Sequence, residues 1–164
     1  MERKIRMEQT VSFELENHSP LAVLHLNGYL AQLEVYKFKA QVEKLAAEFR
    51  YMIFDMDHLA FIDSAGIGAL VQIRAELLKF GGALVLAAPN SPHVKSAFNS
   101  SQLGRVIPCF VNVEDARQFL AEKFGLKNAT PEDELAGQEI VGILHQILDR
   151  LGSIEGRLER MENR

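Results

Sequence analysis

Between Tyr51 and Ala88 two short apolar runs bracket a single amphipathic stripe, and few architectures accept that order. Tyr51 to Phe54, ending in Asp55, is too short for a helix and rich in aromatic residues, which suits a buried strand. Ile67, Leu70, Ile73, Leu77 and Leu78 then recur at helical spacing until Gly81 and Gly82 stop them. Ala83 to Ala88 is a second uninterrupted apolar strand, closed by Pro89 and Asn90. The loop after the first strand is expected to hold Asp57 and His58, and Asp63 or Ser64 is the natural N-cap of the helix.

The flanking segments extend the pattern. Val11, Phe13 and Leu15, a turn from Asn17 to Pro20, and the run Leu21 to Leu26 predict a hairpin that ends at Gly28. Val35, Phe38, Val42, Leu45 and Phe49 place one apolar stripe on a helix over about Leu33 to Phe49. Val94, Ala97 and Phe98 mark a short third helix. Val106 to Val111 is the last strand candidate, with Pro108 assigning it to a sheet edge because proline cannot donate to the ladder. Ala116, Phe119 and Leu120 give a fourth helix over Val113 to Phe124. A starting hairpin followed by alternating helices and strands predicts an α/β layer fold.

Composition limits the function classes. The chain has 164 residues and a net charge of −4, with its Lys and Arg scattered among acids, which argues against a nucleic-acid binder. No apolar run approaches the length of a spanning helix, and Met1 to Arg6 lacks the apolar stretch of a secretory signal, so a cytoplasmic protein with no membrane partner is expected. Cys109 is the single cysteine, which excludes an intrachain disulfide and a cysteine metal cluster.

Beyond Gly125 the character changes. Residues 125–131 read as a linker, and Thr130, Pro131 and Asp133 form a strong helix-start signal for an amphipathic helix over 132–164. In that helix Leu144, Leu151 and Leu158 occupy one heptad seam position, and Ile140, Ile147, Ile154 and Met161 the other. Arg150 and Arg157 would pair with Glu155 and Glu162 of a parallel neighbour. Gly142, Gly152 and Gly156 each cost about 1 kcal/mol relative to Ala, so the helix needs something to pack against. Homo-oligomerisation is the expected answer, and Leu and Ile in these positions favour three or four strands over two. The competing reading folds this helix back onto its own domain.

Chemistry concentrates between Asp55 and Gly68. In a purely structural reading, Asp63 or Ser64 caps a helix and Gly66 and Gly68 allow close packing. In an enzymatic reading, Phe54, Asp55, Met56 and Asp57 at a strand end are similar to the aspartate nucleophile motif of haloacid-dehalogenase phosphatases. That fit fails at His58 and Leu59, where the family has Gly and Thr, and no later strand ends in an acidic pair to hold magnesium. His18, His25, His58, His93 and His145 show neither zinc-protease spacing nor a nucleophile elbow, and the chain lacks a phosphate-binding glycine loop. No metal, cofactor or catalytic residue is expected.

Taken together, the strand Met52 to Asp55, Phe61, Ile62, Asp63, Ser64, Ala65, Gly66, Ile67, Gly68, Ala69, Leu70, the amphipathic helix, Gly81, Gly82 and the next strand form one pattern. It resembles the STAS domain of the anti-sigma factor antagonists, also called anti-anti-sigma factors, over about residues 5–124. The resemblance implies a mixed sheet covered on one side by helices, in a binding protein that is not an enzyme. It implies that Ser64 is a phosphorylation site and that Asp63, Ser64, Ala65, Gly66 and Gly68 meet the partner. That partner would be an anti-sigma factor serine kinase, held by the unphosphorylated chain so that a sigma factor is released for transcription. Phosphorylation of Ser64 would reverse this, and a serine phosphatase would reset it. The alternative is a multimeric STAS scaffold in a signalling assembly with no phosphorylation switch. Many antagonists carry an acidic residue shortly after the glycine that follows the second strand, whereas this chain has Gly28, Tyr29, Leu30, Ala31 and Gln32.

Overall fold

The computed structural model describes residues 10–126. Within them lie strands β1 (Val11–His18), β2 (Leu21–Leu30), β3 (Tyr51–Ile62), β4 (Ala83–Ala87) and β5 (Cys109–Phe110). The α-helices are α1 (Glu34–Leu45), α2 (Ser64–Lys79), α3 (Pro92–Ser101) and α4 (Val113–Phe124). Residues 5–9 of the expected domain lie outside the described part, as do the rest of the linker beyond Leu126 and the whole heptad segment, Ile140, Leu144, Ile147, Leu151, Ile154, Leu158 and Met161 included.

The sheet is mixed, in the order β1-β2-β3-β4-β5. β1 and β2 form the expected antiparallel hairpin, and β2 through β5 run parallel. Each parallel step is bridged by one α-helix, joined by a 3-10 turn at Leu103–Arg105 in the last step, and right-handed crossovers that always advance in the same direction put α1, α2 and α3 on one face. Alternation along the strands supplies the apolar surface that meets them: Ala22, Leu24 and Leu26 of β2, Met52, Phe54 and Met56 of β3, and Leu84 and Leu86 of β4. Phe38 of α1 is its aromatic anchor, edge-on to Phe54 at 5.8 Å and to Phe13 at 6.1 Å.

Helical cover extends to the other face as well. α4 follows the last strand, so no return strand fixes its side, and it lies over Leu21, Val23, Ile53, Val85 and Ala87 through Ala116 and Leu120. Tyr51 against Phe124 and Phe110 against Phe119, with centroids 4.8 and 5.0 Å apart, complete this second layer. The one-sided cover expected from the sequence therefore holds for α1 to α3, and α4 adds to it.

Two strands outrun their sequence limits. β2 does not end at Gly28 but continues to Leu30, and Gly28 is needed there twice over, for its φ of +93° and because a Cβ would lie 2.1 Å from the Thr10 carbonyl oxygen. β3 does not stop at Asp55, and Asp57 and His58 belong to the strand rather than to a loop. β4 reaches β3 only over Tyr51 to Asp55, so the second half of β3 is an edge beside β2, with register shifts that bend it. Pro108 lies just before β5, which is the edge strand expected, and its carbonyl accepts the Leu86 N–H at 2.9 Å.

Candidate functional site

The extension of β2 and β3 sets the geometry at the start of α2. Leu30 and Ile62 are register partners at the ends of their strands, and the next residues of β3's chain, Asp63 and Ser64, open the helix. Asp63 is extended, at φ −103° and ψ −176°, and its Oδ1 accepts the Gly66 N–H at 2.8 Å. Its carbonyl accepts from Ile67 at 3.0 Å, the first helical bond. This is an N-cap, worth about 1 kcal/mol. Of the two candidates read from the sequence, Asp63 takes the role.

Asp63 also reaches sideways. Its Oδ2 accepts the backbone N–H of Gln32 at 2.9 Å, across the connection between β2 and α1. Gln32 is at φ +52°, a left-handed conformation that costs a non-glycine residue about 1 kcal/mol. The carboxylate thus holds a strained loop against the start of α2.

Gly66 makes this approach feasible. It is buried, and a Cβ on it would stand 2.3 Å from the Leu30 carbonyl oxygen and 2.7 Å from Ile62 Cγ1. Its role is to let α2 press on the strand ends. Gly68 is different: it is half-buried, and a Cβ there would meet nothing within 4 Å. Ser64 and Ala65 are exposed and Asp63 half-buried, so the outer surface at this helix start is small and low. Ser64 sits in the first turn, where unpaired N–H groups and the helix dipole favour an anion.

The aspartates of the phosphatase-like motif are engaged elsewhere. Asp55 Oδ2 accepts from His25 Nδ1 at 2.6 Å and its Oδ1 from the Asp57 N–H at 3.1 Å, while Asp57 Oδ1 accepts from Asn90 Nδ2 at 2.6 Å. Among the described residues no three His, Cys, Asp or Glu side chains are placed to hold a metal ion. Burial pushes the Cys109 thiol up from its ordinary pKa, which disfavours the reactive thiolate. No described helix is long and apolar enough to cross a membrane.

Sequence reasoning missed the polar group around His25 altogether, because its members stand 9, 30 and 101 positions apart in pairwise contact. A histidine inside the apolar run of β2 was the available signal.

Comparison with known proteins agrees with this geometry. A STAS domain family model matches residues 12–116. The unphosphorylated form of the anti-sigma factor antagonist SpoIIAA is 27% identical, with a TM-score of 0.58, covering 71% of this chain and all of that one. The phosphorylated form of the Bacillus cell fate determinant SpoIIAA is 25% identical, with a TM-score of 0.52, over 66% of this chain and 99% of that one. At 16% identity the fold also recurs in SLC26A9, with a TM-score of 0.56, over 63% of this chain and 20% of that much longer one. By its sequence match, its strand order and the capped serine-bearing helix start, the chain belongs to the STAS domain family.

Proposed function

We propose that this chain is an anti-sigma factor antagonist, a cytoplasmic binding protein rather than an enzyme, switched at Ser64. One observation carries the reading: Asp63 supplies the helix cap, so the exposed Ser64 hydroxyl is not consumed by it. In the unphosphorylated state the low surface of Ser64, Ala65 and Gly68 meets an anti-sigma factor serine kinase, whose retention frees a sigma factor. Asp63 shapes that surface, and Gly66 sets its height from below.

Phosphorylation adds roughly −1.5 to −2 charge beside the Asp63 carboxylate. The helix dipole and the first-turn N–H groups tolerate that charge, so the fold persists while the surface becomes bulky and anionic. A close contact built for a neutral hydroxyl is then opposed, and the kinase leaves. A serine phosphatase restores the first state. The similarity to SpoIIAA, known in an unphosphorylated and a phosphorylated form, supports this cycle. Homo-oligomerisation through residues 132–164, following a 125–131 linker, would present several such surfaces together.

The test is kinase binding by Ser64→Ala and Ser64→Asp variants: the first is expected to retain it and the second to lose it. A second reading, a multimeric scaffold with no switch, rests on the heptad pattern from Ile140 to Met161. That reading expects Ser64→Asp to bind its partners as the unaltered protein does.

A further inference from the structure

On the face covered by α4, beyond the apolar contacts of Leu21, Val23 and Ile53, polar side chains of β1 and β3 meet one histidine of β2, and α4 joins them through Glu16. His25 of β2 is in register with Glu14 of β1 and Asp55 of β3. Its Nδ1 lies 2.6 Å from Asp55 Oδ2 and its Nε2 2.9 Å from Glu16 Oε1. Glu16 Oε2 accepts from Arg117 of α4 at 2.6 Å and from His18 Nε2 at 3.2 Å. The Arg117 side chain is 16% exposed and that of Glu16 44%, so the link is covered at its α4 end and open to solvent at its β1 end.

The ring geometry sets a protonation state. An ionised carboxylate only accepts hydrogen bonds, and a neutral imidazole has one N–H to give. A ring that spans two carboxylates through both nitrogens therefore carries both protons. Burial opposes the charge on His25, but hydrogen bonds and attraction from Asp55 and Glu16 outweigh it and raise the pKa. Glu14 and His58 are the other titratable groups bordering the cleft at His25, and Arg117 of α4 meets Glu16 at the oxygen the ring does not hold.

We propose that His25 is an ion-pair clamp on α4. As an imidazolium it bridges Asp55 and Glu16, fixing Glu16 where it accepts from Arg117, so that β1, β2, β3 and α4 are tied through one proton. When that proton leaves to solvent from Nε2, the longer contact, Nδ1–H keeps Asp55 and Glu16 is no longer held by the ring. Its carboxylate then meets a lone pair and shifts, and Arg117 loses its fixed partner. Ala116, Phe119 and Leu120 keep α4 on the sheet, so the helix loosens without detaching. The site is separate from Ser64 and does not depend on the phosphorylation reading.

The test is a pH series on the full chain, reading His25 ring nitrogens by long-range proton–nitrogen correlation and amide exchange over residues 113–124. Both ring nitrogens are expected to be protonated at pH 7. Exchange in α4, corrected for the intrinsic rate, is expected to rise on the order of tenfold as His25 deprotonates, the effect of losing one charge-assisted hydrogen bond. A His25→Gln variant is expected to exchange at the faster level at every pH. A bare ring nitrogen on His25 at pH 7, or α4 exchange indifferent to His25 protonation, would overturn the proposal. Should His25→Gln fail to fold, the series on the unaltered chain decides alone.

Discussion

Asp63 accepts the backbone N–H of Gln32 at 2.9 Å through one carboxylate oxygen while the other caps α2 at Gly66, so one side chain joins two connections of the fold. Any change at the helix start is thereby felt in the loop after β2, and the residue beside Ser64 serves stability and surface shape together.

Replacing Asp63 with Ala removes both bonds. The cap contributes about 1 kcal/mol and the tie to Gln32 a similar amount, so urea unfolding should show a loss of roughly 1–3 kcal/mol. Asp63→Asn keeps an oxygen for the cap and should recover much of it. Equal stability of Asp63→Ala and the unaltered protein would show that neither bond matters in solution.

Two glycines two residues apart on α2, about 3 Å along its axis, should respond in opposite senses. Gly66→Ala drives a methyl into the Leu30 carbonyl oxygen at 2.3 Å and should cost about 1–3 kcal/mol, visible as a lower Tm. Gly68→Ala enters open space in a helix interior and should gain roughly 0.5–1 kcal/mol. Its effect on partner binding then reports the surface without a folding defect.

The titration of the His25 group bounds a window of stability. Burial works against ionised Glu16, but hydrogen bonds from His25, His18 and Arg117 outweigh it and lower its pKa from 4.5. Its contribution is present above pH 4.5 and is lost as pH falls through the depressed value. His25, raised from 6.5, contributes fully below pH 6.5 and loses that contribution as pH rises through its higher folded value. Chemical unfolding from pH 3 to pH 9 should show greatest stability between these limits, and His25→Gln should remove the alkaline decline. An unchanged alkaline decline in that variant would assign it to another group.

Alternation and helical stripes made the hairpin, the four helices and the buried halves of the parallel strands readable from the amino-acid order. The second half of β3 was not readable, because beyond Asp55 the strand has β2 as its only partner and exposes Asp57, His58 and Ala60 like a loop. An amphipathic stripe likewise says that α4 packs, but not on which face, since crossover handedness governs only helices between parallel strands. Ser64 and Asp63 stood out by local order alone. Which of them caps, and the tie to Gln32, depend on the strand ends meeting, and the His25 group depends on register between β1, β2 and β3 and on Arg117 101 positions from Glu16.

The heptad proposal makes its own prediction. Sedimentation of the full chain should report an oligomer, and a double Leu144→Lys, Leu151→Lys variant, with charges in the seam, should sediment as a monomer with its STAS domain intact. Monomeric behaviour of the unaltered chain at micromolar concentration would withdraw it.

The central claim is the switch at Ser64, and affinity purification from the protein's own cells tests it most directly. Unaltered, Ser64→Ala and Ser64→Asp chains would be captured in parallel, with mass spectrometry of co-purifying proteins and of phosphate on Ser64. The account predicts an ATPase-fold serine kinase with the unaltered and Ser64→Ala chains, its depletion with Ser64→Asp, and phosphate on Ser64 in a fraction of unaltered molecules. Unmodified Ser64, with the same partners recovered by all three chains, would contradict it.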